Sequence, residues 1–215
     1  MPRGGWAGRS LRLRGREGRR RGGGGGPAGG AEPAGAGPAA AAGGSGAGFE
    51  VRRGRPGDLD AVVGLFASVA AEGRWIAAEA PIDRGQRRRR LREGLDQPGT
   101  AMFVADAGGE VVGMLRIDKA GYGVAELGML VAAAWRRRGV GSALLRAGIA
   151  WAREVGAHKV ALQVWPHNQA AISLYERFGF EREGLLRRHY RRRNGELWDA
   201  VVMGLPLDGP PTAAG

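Results

Sequence analysis

Residues 124–156 read VAELGMLVAAAWRRRGVGSALLRAGIAWAREVG, and this stretch decides the fold. Val124 to Val131 has the apolar character of a strand, and the glycine turn Arg138-Gly139-Val140-Gly141 then opens a helix. That helix runs from Gly139 to Val155, because Val140, Leu144, Gly148, Ala152 and Val155 recur on one helical face and Gly156 closes its C-terminal end. A strand, a turn and an amphipathic helix are thus joined without any long linker.

Upstream, the grammar is that of an antiparallel meander. Phe49 to Arg53 alternates apolar and polar residues, and Arg55-Pro56-Gly57-Asp58 breaks the strand and offers Asp58 as an N-cap. A helix follows through Leu59, Val62, Val63, Phe66 and Val69, and Arg84 to Leu95 forms a short basic helix ended at Gln97-Pro98-Gly99. Thr100 to Ala105 and Val111 to Ile117 are strands joined by Ala107-Gly108-Gly109-Glu110, and Gly121-Tyr122-Gly123 turns the chain into Val124 to Val131.

Downstream, Lys159 to Trp165 is a nearly continuous apolar strand, as expected of one covered on both faces. Asn168 caps a helix that stops at Gly179, and strands from Phe180 to Tyr190 and Leu197 to Leu205 flank Arg193-Asn194-Gly195. The expected fold is α/β of the α+β kind, a mixed, mostly antiparallel seven-stranded sheet flanked by about four helices.

Residues 1–48 differ in kind, with Gly, Ala and Arg making up most of them and Ser10 and Ser45 the only serines. Such a segment has too little apolar mass to offset its ordering cost and reads as a disordered tail. A solvated extension, an over-long translation start, an organellar transit peptide and a nucleic-acid-binding arm all remain open for it. The folded domain is expected over 49–207, followed by a flexible 208–215.

Composition narrows the chemistry. There is no cysteine, so thiolate ligands, disulfides and cysteine nucleophiles are excluded, and the three histidines lack metal-ligand spacing. No metal is expected. No apolar run approaches a bilayer span or a signal h-region, so a cytoplasmic protein without a membrane partner is expected. The net charge of +12 favours anionic partners or cofactors.

The turn Arg136-Arg137-Arg138-Gly139-Val140-Gly141-Ser142 is suited to a pyrophosphate. Glycines allow close backbone approach, the first helical amides and the helix dipole favour an anion, and arginines add forked donors. A P-loop needs G-x-x-x-x-G-K-S/T, a string the chain does not contain. A dinucleotide fold needs an immediate strand-to-glycine junction, whereas Ala132 to Arg138 intervene here.

At these residues the sequence resembles the GNAT superfamily of acyl-CoA N-acyltransferases. Its Q/R-x-x-G-x-G/A signature is matched by Arg136, Gly139 and Gly141, and N-x-x-A-x-x-L-Y-x-x-x-G-F is matched by Asn168, Ala171, Leu174, Tyr175, Gly179 and Phe180. The resemblance spans about 49–205. Glu183-Gly184, Asn194-Gly195-Glu196, Asp199 and Met203 resemble the branch holding spermidine, ribosomal-protein N-terminal and free-amino-acid acetyltransferases.

The resemblance implies a V-shaped splay between the fourth and fifth strands, where the main chain of Met129, Leu130 and Val131 would bond the pantetheine of acetyl-CoA. It also implies that Arg136, Arg137, Arg138, Gly139, Val140, Gly141 and Ser142 hold the diphosphate, that Asn168 adds an amide contact, that Tyr175 is the general acid and that Glu126 is the base. Each has a plainer alternative: core side chains for 129–131, an N-cap for Asn168, a packing tyrosine for Tyr175 and an outward strand residue for Glu126.

A base matters because holding a lysine-like amine of pKa about 10.4 neutral near pH 7.4 costs about 4 kcal/mol, against under about 1 for an α-amine near 7.7 to 8.0. With no side chain offering an obvious acyl carrier, direct attack in a ternary complex is expected. Arg84 and Arg87-Arg88-Arg89-Arg90 would repel a polyamine and suit a carboxylate or an RNA-rich surface, or form a solvated helix face. Trp75 and Glu79 are further acceptor-side candidates, with Glu79 equally suited to an ordinary loop.

The expected activity is acetyl transfer to the amine of a small molecule such as a free amino acid. Protein N-terminal acetylation is the alternative. A nucleic-acid-binding module is disfavoured because the basic run 84–92 carries no aromatic residue, and a silent acyl-CoA sensor is disfavoured by Glu126 and Tyr175. A homodimer stays open.

Overall fold

Alternation along β2 (Thr100–Ala107), β3 (Glu110–Lys119) and β4 (Val124–Val131) sends side chains to two separate cores. This is the organising feature of the computed structural model, which describes residues 48–119 and 121–207. The readings of a disordered tail and a flexible C-terminus fall on 1–47 and 208–215, outside the described residues. β1 (Glu50–Arg53), β2, β3 and β4 form an antiparallel run. β5 (Lys159–Val164) lies parallel to β4, and β7 (Leu197–Pro206) and β6 (Glu181–Arg191) complete the order β1-β2-β3-β4-β5-β7-β6.

One face carries α3 (Val140–Glu154) and α4 (Gln169–Arg177), whose Leu144, Ile149, Ile172 and Tyr175 pack with Leu115, Leu127 and Leu162. The other carries α1 (Leu59–Ala71) and α2 (Arg84–Leu95), where Val62, Phe66 and Leu91 meet Met102, Met114 and Leu130. α3 sits close to the sheet because its glycine faces it: a Cβ on Gly148 would come within 2.9 Å of Leu115. The expected element order is present in full, with ends that shift by one or two residues as fraying and ladder extension allow.

Two local expectations need correction. Asp58 does not cap α1 with its side chain. Its carboxylate instead accepts from both Nη atoms of Arg52 at 2.8 Å and from the Arg55 amide, while Arg52 also reaches Asp106 at 2.7 Å beside the β2–β3 turn. β5 is not covered on both faces either: Val160, Leu162 and Val164 enter the core, but Gln163 on the other face is exposed.

Arg52 holds both carboxyls, Asp58 and Asp106, below the usual carboxylate range, chiefly through its hydrogen bonds. A depressed folded-state pKa contributes stability that is present above about pH 4 and disappears as pH falls through the folded value. Asp58→Asn should therefore lower stability at pH 7 by about 2 kcal/mol. Denaturant titrations between about pH 6 and 2 should also show a shallower acid dependence in that variant than in wild type.

Candidate active site

β4 and β5 pair only at their first residues, Val124 with Lys159, Ala125 with Val160 and Glu126 with Ala161. Beyond Glu126 they part. β4 keeps its full ladder with β3 and β5 its ladder with β7, so the sheet opens as a V with Glu126 at the apex. The Ala132 amide donates to the Val112 carbonyl at 2.9 Å, and the antiparallel alternation then turns the main chain of Leu130 and Gly128 toward β3 as well. Met129 and Val131 face the gap. Leu130 is 4 % exposed and belongs to the α1 core, so the three residues expected to line the edge divide two to one.

A cleft of about 2060 Å³ passes through this opening and reaches both faces of the sheet. At its α3 end the chain enters the helix through Arg137 at φ +64° and Gly139 at φ +84°. No atom lies within 4 Å of a Cβ built on Gly139, so glycine is required there by conformation and not by crowding. Gly141 is the reverse case: its Cβ would meet Leu174 at 3.1 Å and Met129 at 3.6 Å. Among the described residues no side chain caps α3, so its first amides have no side-chain acceptor there.

The arginines of this turn are not equivalent. Arg137 borders the cleft, whereas Arg138 stacks on Trp135 at 5.3 Å away from it and the Val140 side chain is buried core. Arg136, expected on the diphosphate, is bidentate to Glu72, with Nη1 to Oε2 at 2.7 Å, and its Nε donates to the Val131 carbonyl at 3.2 Å. The Arg136 guanidinium holds Glu72 below the usual carboxylate range, and Trp75 Nε1 donates to the same carboxylate. Arg136 thereby braces the α1–α2 loop against the turn.

Asn168 caps α4, its Oδ1 accepting from the Ala171 amide at 3.3 Å, and it borders the cleft two helical turns from Tyr175. The Tyr175 ring is buried against Phe180 at 5.6 Å, and its hydroxyl has no hydrogen-bond partner among the described residues. Burial pushes that phenol up to about 12. Glu126 reaches the cleft from the α1–α2 face, half-buried and without a partner among the described residues. Burial, and then Asp118 across the strand pair, raises its pKa, whereas Asp118 is engaged by Arg116 at 2.6 Å and Thr100 at 2.8 Å.

On the acceptor side, Arg87 lines the cleft over the Phe66 ring at 4.5 Å with no carboxylate partner among the described residues. Burial and the neighbouring Arg90 both lower its pKa. Trp75 borders the cleft, but Glu79 does not: it accepts from the Arg193 amide at 3.1 Å and pairs with Arg192 at 3.7 Å. Among the described residues there is no group of three or more His, Asp or Glu able to hold a metal ion, and no helix is long and apolar enough to cross a membrane.

A splayed parallel pair beside a glycine turn and a capped helix is the arrangement that the two signatures imply. The comparisons agree. Residues 70–180 match the acetyltransferase (GNAT) family. The chain belongs to the GNAT acetyltransferases. The L-amino acid N-acetyltransferase AaaT of Escherichia coli is 40% identical over 116 residues, 50% of this chain and 69% of that protein. An N-alpha-acetyltransferase of Sulfurisphaera tokodaii is 38% identical over 128 residues, 54% of this chain and 74% of that protein. A GNAT superfamily phosphinothricin acetyltransferase from Sinorhizobium meliloti, solved in complex with acetyl-CoA, superposes with a TM-score of 0.67 at 20% identity, covering 78% of this chain and 92% of that one. This GNAT chain is an N-acetyltransferase.

Arg192 is a buried support beside the cleft that its sequence neighbourhood did not reveal, since it sits in the basic run 187–193. It is 5 % exposed, stacks on Trp198 at 4.3 Å and donates to the carbonyls of Gly73, Ile76 and Ala77 at 3.2 to 3.3 Å. It pins the acceptor-side loop to the β6–β7 turn. Arg192→Ala leaves those carbonyls and Glu79 without their cation, so it should cost on the order of 2–4 kcal/mol in chemical denaturation.

Proposed function

We propose that this GNAT enzyme acetylates the α-amine of a free amino acid or a close mimic. One observation carries the reading: a carboxylate, Glu126, and a guanidinium, Arg87, neither with an oppositely charged partner among the described residues, line the same cleft. They complement the ammonium and carboxylate of a zwitterion. The 40% identity to an L-amino acid N-acetyltransferase supports it.

Acetyl-CoA supplies the acetyl thioester. Toward it, the main chain of Met129 and the Val131 amide offer strand-like hydrogen bonds, the free amides at the start of α3 and Arg137 offer a diphosphate seat, and Asn168 retains its Nδ2 donors. Glu126 takes a proton from the acceptor ammonium, and its raised pKa makes it a better base than an exposed carboxylate. To the leaving sulfur Tyr175 offers a hydroxyl hydrogen that has no acceptor among the described residues. At a pKa of about 12 it stays protonated throughout the working range. Handing that proton to a thiolate near 8.5 would be uphill by about 5 kcal/mol, so Tyr175 acts first as a hydrogen-bond donor to the sulfur.

A second reading, acetylation of a protein N-terminus, draws on the 38% identity to an N-alpha-acetyltransferase. The two differ at Arg87, because an N-terminal residue has no free α-carboxylate. Thiol release from acetyl-CoA should be faster with L-amino acids than with their amides. Arg87→Gln should raise KM for the acids about tenfold or more while leaving the amides little changed. Equal use of amides and acids by wild type would favour the protein reading.

For Glu126 the sign follows from its direction of shift. The deprotonated form is the working base, so kcat/KM falls as pH drops through a value above the ordinary glutamate range near 4.3, and Glu126→Gln should remove that acid limb along with most of the activity. Gly139→Asp, which places a negative side chain at the start of α3, should abolish the rise in Tm that acetyl-CoA produces in wild type.

A further inference from the structure

A substrate ammonium that gives one proton to Glu126 still carries two N–H bonds, and where the bound acceptor shuts water out these need protein acceptors. Tyr190 on β6 borders the same cleft, and its hydroxyl donates to Gln163 Oε1 at 2.7 Å. A phenol has one proton to give, so with that proton engaged the Tyr190 oxygen offers only lone pairs to anything else that approaches.

The position of this oxygen follows from the sheet. Gln163 lies two residues beyond Ala161, the register partner of Glu126, and β-strand alternation therefore puts Gln163 and the Glu126 side of the pair on one face. The Tyr190 ring stands edge-on to Trp165, with centroids 4.8 Å apart, and Trp165 stands edge-on to Trp198 at 5.4 Å. Arg192 stacks on Trp198 from the other side of the turn. Ring packing and the bond to Gln163 together fix the hydroxyl. Burial and the Glu126 charge both raise the phenol pKa, so it keeps its proton for Gln163.

We propose that the Tyr190 oxygen, held as an acceptor by Gln163, forms with the Glu126 carboxylate a two-point seat for the acceptor amine and directs its lone pair into the gap between β4 and β5. Tyr190 is then a catalytic residue that touches the nucleophile, and Gln163 is a positioning residue that acts through it. The seat rests on the amine-acetyltransferase reading above, and neither residue belongs to either signature motif.

The test compares wild type, Tyr190→Phe and Gln163→Leu with a panel of L-amino acids and their amides, measuring thiol release at saturating acetyl-CoA. Acetyl-CoA affinity is measured in parallel by calorimetry. Tyr190→Phe keeps the ring on Trp165, so Tm and acetyl-CoA affinity should stay near wild type, while kcat/KM for the amine falls about 10- to 100-fold, the range for one hydrogen bond to a charged group. Gln163→Leu frees the hydroxyl proton to point at the amine and should produce a smaller loss of the same kind. An amine kcat/KM in Tyr190→Phe equal to wild type overturns the seat, as does a loss matched by lost acetyl-CoA affinity. If wild type turns over no amine in the panel, the free-amine reading fails, and the seat fails with it.

Discussion

The parting of β4 from β5 after Glu126 is the constraint on which everything else depends. A parallel pair normally runs the length of its strands, because an unpaired buried amide or carbonyl costs free energy comparable to a lost hydrogen bond. Here each strand is held more firmly on its other side: β4 by β3 over seven register pairs and β5 by β7 over six. Helices fill the wedge from one face. Leu174 of α4 would lie 3.1 Å from a Cβ on Gly141 of α3, tighter than an ordinary contact, and Met129 of β4 closes the same corner. The opening is therefore built into the packing, and the groups it leaves unpaired are the ones a strand-like ligand would satisfy.

Arginine serves two separate purposes in this molecule, and burial with partners tells them apart. Arg52, Arg136 and Arg192 are struts, each tying segments distant in sequence through carboxylates or carbonyls. Arg87 and Arg137 border the cleft without a carboxylate partner among the described residues. A strut that lost its acid would leave charge or carbonyls uncompensated, whereas a cleft arginine already bears that cost in the free protein and recovers it when an anion arrives. The arginines named here thus divide between holding segments together and lining the cleft.

This division explains what could be read in advance. The strand–turn–helix at 124–156 and the helix capped by Asn168 and stopped at Gly179 are legible because glycines, caps and 3.6-residue spacing are local signals. The role of Asp58 was not. A carboxylate just before a helix looks like a cap, and only the return of Arg52 on the neighbouring strand makes it an ion-pair partner. Arg136 and Glu72 are 64 residues apart, and Arg192 and Gly73 119 apart, so no window along the chain contains either contact. The Tyr190–Gln163 hydrogen bond is illegible for the same reason, since each residue is unremarkable in its own strand and their meeting depends on β7 lying between β5 and β6.

The two sides of the cleft differ in electrostatic character, and that difference bears on the order of proton movements. Tyr175 sits in the apolar core of the α3–α4 face, where burial alone moves its pKa, and it can donate a hydrogen bond long before it can give up a proton. Glu126 sits on the opposite face among Asp118, Arg116 and Tyr190, where burial and a like charge both favour the protonated acid. A carboxylate so placed takes a proton readily, and a phenol so placed yields one reluctantly. In the mechanism we propose, deprotonation of the amine at Glu126 therefore precedes any protonation of the sulfur, and the thiolate leaves as an anion stabilised by the Tyr175 hydroxyl.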